Sequence, residues 1–164
     1  MLLGRVIIAA ALCCALPVLA AAQQAIAFGA AAQDNTLPVE VTADALAVNQ
    51  GDGTAEFLGN VVIVQGEMRL SAPRVFVTYA EAQGQIRLLE ATGGVTLVSG
   101  VDAAEAQRAD YNIEKGVVVM SGDVLLTQGG TALTSQSMTI DLGKGTAALA
   151  GRVKTVLKAQ PAQE

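Results

Sequence analysis

The sequence predicts an all-β fold: consecutive antiparallel strands built from repeats of about 30 residues. Three observations carry that expectation. The β-branched run GNVVIVQG, Gly59 to Gly66, has its opening repeated as Gly93-Gly94-Val95, Gly122-Asp123-Val124 and Gly151-Arg152-Val153, at offsets of 34, 29 and 29 residues. Between these points apolar and polar residues alternate with a period of two, as in strands with one wet face. The hydrophobic content of 52% comes mostly from Val, Leu, Ile and Ala, with 3% aromatics and neither Trp nor His.

The chain opens with the three parts of a secretory signal peptide: Arg5, the apolar run Val6 to Leu16, then Pro17 and an alanine-rich stretch. The run is too short for a helix to cross a bilayer of ~30 Å. Ala20-Ala21-Ala22 fits a small-x-small cut, so residues 1–22 are expected to be removed, with Ala25-Ile26-Ala27 as the second candidate. A lipoprotein acylated on Cys13 or Cys14 is the rival, opposed by Leu12 and Cys13 where small residues should precede. Both cysteines leave with the signal, so an exported chain would be held by its core and its ladders without a disulfide. Loss of Arg5 moves the charge from −5 to −6, with no basic stripe for nucleic acid. No second apolar stretch approaches ~18 residues, which points to a soluble mature chain.

Residues 23–36 read as a flexible leader, 37–158 as the folded domain and 159–164 as a disordered tail. Order is expected from Leu37-Pro38, since Pro suits the start of an edge strand. Val39, Val41, Leu46 and Val48 alternate up to the turn cluster Gln50-Gly51-Asp52-Gly53. From Gly59 the chain repeats a glycine, a Val-rich strand, a second glycine, another strand, a turn and a third strand. Ala43-Asp44-Ala45-Leu46 aligns with Ala72-Pro73-Arg74-Val75, and Ser71-Ala72-Pro73-Arg74 with Glu105-Ala106-Gln107-Arg108. The longer copy has its extra residues around Ala80 to Gln85, a natural hairpin tip. Val101 to Ile113, with Ala-Glu-Ala inside it, is the one stretch with a competing helical reading.

Catalysis finds little to work with. His and mature Cys, the usual base and thiol, are absent. Glu40, Asp52, Glu67, Glu81, Asp102 and Asp141 fall at exterior strand positions or turns, where a solvated face puts charge. Asn49-Gln50-Gly51-Asp52-Gly53 lacks the acidic density of a calcium loop, and no glycine cluster reads as a phosphate loop. Neither enzyme activity nor a cofactor or metal is expected. Arg74 and Arg108 hold equivalent repeat positions. They read either as arginines covering strand edges or as contacts to an anionic headgroup at the mouth of an apolar groove.

Parity assigns an interior face to Val39, Val41, Val48, Phe57, Val61, Ile63, Leu70, Val75, Val77, Leu97, Tyr111, Ile113, Val119, Leu126 and Ile140. A slip of one residue past a glycine or proline would flip such an assignment. Periodicity does not separate a packed core from a lined groove that accepts acyl chains at ~0.8 kcal/mol per buried CH₂.

Longer stretches resemble a known family. They are Pro-Val-Glu-Val-Thr-Ala-Asp at 38–44, Gly-Thr-Ala-Glu-Phe-Leu-Gly-Asn-Val-Val-Ile-Val-Gln-Gly at 53–66, and Met-Arg-Leu-Ser-Ala-Pro-Arg-Val at 68–75. With them go Ala-Asp-Tyr at 109–111 and Met-Ser-Gly-Asp-Val-Leu-Leu-Thr-Gln-Gly at 120–129. Together, over residues 37 to 157, they are similar to the OstA-like periplasmic lipopolysaccharide-transport family, that of LptA. The resemblance implies an open, twisted β-jelly-roll with an apolar interior that binds lipopolysaccharide. It implies a bridge between membranes, assembled head to tail with itself, with an inner-membrane LptC-like subunit and with the N-terminal domain of an outer-membrane LptD-like translocon. Pro73 departs from the family pattern and suggests a local bulge; Gly94 and Arg152 vary the Asn of Gly-Asn-Val.

An open sheet leaves unpaired backbone groups on its first and last strands, which invite strand addition. Those partner edges are expected at Val39, Glu40, Val41 and Thr42, and at Arg152, Val153, Lys154, Thr155, Val156 and Leu157. Two other readings stay open: an edge-polymerising structural β-protein with a sealed core, and a stand-alone LptC-like exporter-side subunit that keeps its N-terminal anchor.

Overall fold

The computed structural model describes residues 25–29, 34, 36–80 and 84–157. The expected signal peptide and tail lie outside the described residues, as does half of the leader. The described chain is all strand: β1 (Ile26–Ala27), β2 (Glu40–Thr42), β3 (Ala45–Asn49), β4 (Thr54–Gln65), β5 (Met68–Tyr79), β6 (Ile86–Ser99), β7 (Asp102–Asn112), β8 (Val117–Gln128), β9 (Thr131–Asp141), β10 (Thr146–Ala150) and β11 (Lys154–Leu157). The region with a helical alternative is β7, where Ala104, Ala106, Ala109 and Tyr111 are buried and their neighbours are more exposed.

These strands form one antiparallel sheet in the order β1-β10-β9-β8-β7-β6-β5-β4-β2, with β3 also on β4 and β11 also on β9. Apart from β1, it is the meander that the repeats predict. Its first and last strands are each split in two, β2 with β3 and β10 with β11. β1 corrects the expectation that order begins at Leu37: Ile26 pairs with Ala147 and Ala27 with Thr146 on the far edge of the sheet. The surrounding alanines give Ile26 and Phe28 no contrast of period, so the sequence shows no strand there.

The repeated glycines explain the split. Pairing of β4 with β5 shifts between Leu58 and Val61, that of β6 with β7 between Thr92 and Val95, and that of β8 with β9 between Ser121 and Val124. In each case a Gly-X pair opposes one residue, Pro73, Gln107 or Gln136, which is a β-bulge. Both residues of each pair have positive φ, for example 75° and 44° at Gly59-Asn60. The first must be glycine for space as well: a Cβ on Gly122 would lie 2.8 Å from Gln107 Cβ. Pro73 sits where its missing N–H does least harm, opposite the Gly59-Asn60 bulge.

A bulge bends and twists each long strand at its middle, and the sheet rolls until its halves face each other. Strands β4 and β7 are separated by β5 and β6, about 14 Å along a flat sheet. Nevertheless the Tyr111 hydroxyl donates to Gln65 Oε1. The concave faces therefore meet in an aliphatic core that includes Ile63, Leu70, Val75, Leu97, Leu126 and Ile140, with no more than 1% of any of these exposed.

Candidate functional site

Of the residues assigned to the interior, Val61, Ile63, Leu70, Val75, Val77, Leu97, Tyr111, Leu126 and Ile140 are buried in one cluster. Val39, Val41, Phe57 and Ile113 are half-buried and pack against it. Two assignments are corrected. Val119 is 38% exposed between buried Val118 and Met120. In a Val-Val-Val run the residue types carry no alternation, and the parity slips by one. Val48 is 59% exposed. It does share a face with its buried partner Ala55, but β3 lies at the first edge of the sheet, where among the described residues it stays exposed along its whole length.

Sequence reasoning missed Phe28, Met68, Leu89, Met120, Met138 and Leu142, as well as the alanines of β7. Alternation of alanine with polar residues along β7 was the signal available there. Met68, Met120 and Met138, unbranched and flexible, are the core side chains that re-pack most readily.

The interior opens at the N-terminal end of the roll. A groove of about 780 Å³ lies between the entry to β2 and the facing tips of β5, β6 and β7, lined by Leu37, Pro38, Val39, Ala80, Ile86 and Ile113 with Arg87 and Glu114. Val39, Ile86 and Ile113 themselves pack on the core, so the groove floor is continuous with the buried cluster. A polar chain braces this end: Gln65 Nε2 donates to the Leu37 carbonyl at 2.9 Å, and Gln65 Oε1 accepts from Tyr111. Burial pushes the Tyr111 phenol from 10.0 up to about 12.

The repeat-equivalent arginines are engaged on the outer surface. Arg74 pairs with Glu56; Arg108 pairs with Glu90 and, at 2.6 Å, with Asp110. Both lie on interior strands, in ion pairs with carboxylates of the same sheet, and neither lines the groove. Among the described residues no group of three or more His, Cys, Asp or Glu is placed to hold a metal ion.

Both ends of the sheet present strands. On the first, β2 pairs with β4 and β3 is exposed along its whole length, with Leu46 55% exposed, so the edge reaches well past the expected Val39–Thr42. Val39 itself precedes β2. On the last, β11 is exposed throughout, whereas Arg152 and Val153 fall outside it. Arg152, at φ 46°, follows Gly151 in the fourth copy of the bulge and not in an edge strand. The remaining part of that edge, β10, is partly covered by β1.

Comparison with known proteins agrees with this geometry. The family model described as LptA/(LptD N-terminal domain) LPS transport protein matches residues 40–146. A protein of Rhizobium meliloti described only as uncharacterized is 28% identical over 137 residues, covering 77% of this chain and 74% of its own. Among solved structures, the chain is similar to LptH of Pseudomonas aeruginosa, described as the LptA-homologous periplasmic component of the lipopolysaccharide transport device. That match has a TM-score of 0.68 at 16% identity and covers 77% of this chain and 99% of the other, a likeness of fold.

Proposed function

The chain belongs to the LptA/LptD N-terminal-domain family of lipopolysaccharide-transport proteins, and on that premise we propose that it is a periplasmic carrier that holds lipid acyl chains in the apolar interior and joins its partners by edge-strand addition. The family is one of transport proteins, not enzymes.

The observation that carries this reading is the continuity of the N-terminal groove with the buried cluster through Val39, Ile86 and Ile113. Each acyl CH₂ that leaves water there contributes ~0.8 kcal/mol, with no demand on chain identity. Behind the groove floor the core is closely packed: Ile63, Val75, Leu97, Leu126 and Ile140 have no exposed surface. Entry therefore requires the two halves of the roll to part, beginning at the groove, with the methionines yielding most easily. The same close packing favours the second reading, a structural protein with a permanently sealed core.

Photo-crosslinking in cells separates the two. Reactive groups in place of Ile86 and Ile113 at the mouth and of Ile63 and Leu97 inside should give lipopolysaccharide adducts, with exposed Asn60 and Thr127 as controls. Adducts at the controls alone, or at none of the sites, would sink the carrier.

The repeat also supports a register for head-to-tail assembly. Every glycine-bulge strand but the last is followed by a strand bearing one residue opposite its bulge: Pro73, Gln107 or Gln136. Asp44, between β2 and β3, is the first member of that series, and its N–H donates to the Gly59 carbonyl as that of Gln136 does to Gly151. Among the described residues the β10–β11 edge has no such neighbour, and the β2–β3 edge of a second copy has the form to supply it. Carried over from the pairing of β8 with β9, Asp44 of the second copy faces Gly151-Arg152. Leu46 and Val48 of that copy then lie opposite Leu149 and Ala147. Equivalent edges on an LptC-like subunit and on the N-terminal domain of an LptD-like translocon would end such a bridge.

A further inference from the structure

Part of the strand-accepting edge is already occupied. Ile26 and Ala27 lie on Ala147 and Thr146 of β10, and the Phe28 N–H donates to the Gly145 carbonyl at 2.9 Å. Phe28 is 2% exposed and belongs to the core cluster, at the end of the roll opposite the groove.

The receiving surface is built for this segment. Asp102, 7% exposed, accepts from the Gly29 N–H at 2.8 Å and from Gln128 Nε2 at 3.0 Å. Gln128 Nε2 also donates to the Ala27 carbonyl at 2.7 Å. Two side chains thus read the backbone of the segment on the side away from β10. Gly29, at φ 81°, lies so close to Ser99 that a Cβ would come within 2.5 Å of its Oγ. The fit is specific to a small residue following a large apolar one.

From these contacts we infer that Ile26–Gly29 is an intramolecular cap on a strand-acceptor site formed by β10, Asp102 and Gln128, and that the cap competes with the edge strand of a second copy. The inference rests on the head-to-tail reading for the identity of the competitor. In that register Ala147 takes Val48 of the second copy, the place now held by Ile26. A two-residue strand held by few hydrogen bonds is displaced readily by a longer one that also pairs Ala148, Leu149 and Ala150, unpaired by β1. Displacement withdraws Phe28 and opens the interior at that end, so docking and opening are one event.

A disulfide staple tests the competition. Because Phe28 bonds to Gly145, the neighbouring Ala27–Thr146 pair is a non-hydrogen-bonded one, in which Cα atoms lie about 4.5 Å apart and a disulfide fits. The mature chain has no cysteine to interfere when cleavage follows Ala22. The Ala27→Cys, Thr146→Cys protein, exported with its own signal, is purified, weighed and sedimented in oxidised and reduced form. We expect a chain that starts at Gln23, a staple that forms under mild oxidation, and self-association weakened about tenfold or more in the oxidised form relative to the reduced one. A chain that starts at Phe28, or a staple that does not form, overturns the cap. Equal association of the two forms overturns the competition alone. A staple that forms in a protein that associates in neither state removes the docking reading, and the competition with it.

Discussion

The Tyr111 hydroxyl donates to Gln65 Oε1 inside the roll, joining β7 to β4 across two intervening strands. Because Gln65 Nε2 holds the Leu37 carbonyl, one amide ties the interior to the rim of the N-terminal groove. Tyr111→Phe keeps the ring and removes one bond to a buried group, so urea unfolding should show a loss of about 1 kcal/mol. The groove rim should loosen with it, seen as faster amide exchange around Leu37.

The same tyrosine sets an alkaline limit. Burial raises its phenol from 10.0 to about 12 in the folded chain, so between those values the unfolded chain releases a proton that the folded chain keeps. Folding then loses stability as pH rises: the contribution is complete below pH 10 and has fallen by about 2 kcal/mol at pH 12. A Tyr79→Phe background isolates the phenolate absorbance of Tyr111. A titration midpoint near 10 in the folded protein would contradict the burial argument, and Tyr111→Phe should remove the slope from the stability curve.

At the bulges the two positions of each Gly-X pair should behave oppositely. Gly122→Ala sets a Cβ 2.8 Å from Gln107 Cβ at a φ of 82°, where both backbone and neighbour must shift. A loss of about 2 kcal/mol or more is expected. Arg152 holds a φ of 46° in the open, so Arg152→Gly should stabilise by about 1 kcal/mol. Thermal unfolding of the two variants reads both signs.

The bulges also show what the sequence makes legible. Spacing at 29 and 34 residues marks the Gly-X pairs, and Pro73 announces its own irregularity. Strand order follows because consecutive hairpins have nowhere else to pair. Face assignment works where polar residues flank an apolar one, as at Leu70, Tyr111 and Ile140, and fails at Val119, where three valines run together. Val48 shows a second limit: parity gives its side of the sheet, whereas exposure depends on what lies across the roll. β1 was hidden for another reason. Its partner β10 is about 120 residues away in a chain with ~3.3 Å of reach per residue, and no local pattern encodes so distant a pairing.

The outer ion pairs should matter little. Arg108 is 41% exposed at its side chain and Arg74 57%, so solvent screens both. Arg108→Gln should cost less than about 1 kcal/mol, and the difference should shrink with added salt. Lipid retention by the same variant should equal that of the parent chain. A large loss of retention with stability intact would return the arginines to the role of headgroup contacts.

Charge exchange at the edges tests the head-to-tail register directly. In that register Asp44 of one copy faces Arg152 of the next, which puts opposite charges beside the apolar contacts of Leu46, Val48 and Leu149. Asp44→Arg alone brings two arginines together and Arg152→Asp alone two aspartates, so each single variant should sediment as a monomer where the parent chain associates. Mixed in equal amounts, the two variants restore opposite charges at both kinds of junction and should assemble with strict alternation. Asp44 also accepts from Asn60 Nδ2 at 2.7 Å within its own chain, and the mixture controls for loss of that bond, because the Asp44→Arg chain lacks it both alone and in the mixture. Recovery of association on mixing requires the Asp44–Arg152 register. Association by either variant alone, or silence of the mixture, places the junction elsewhere on the edges.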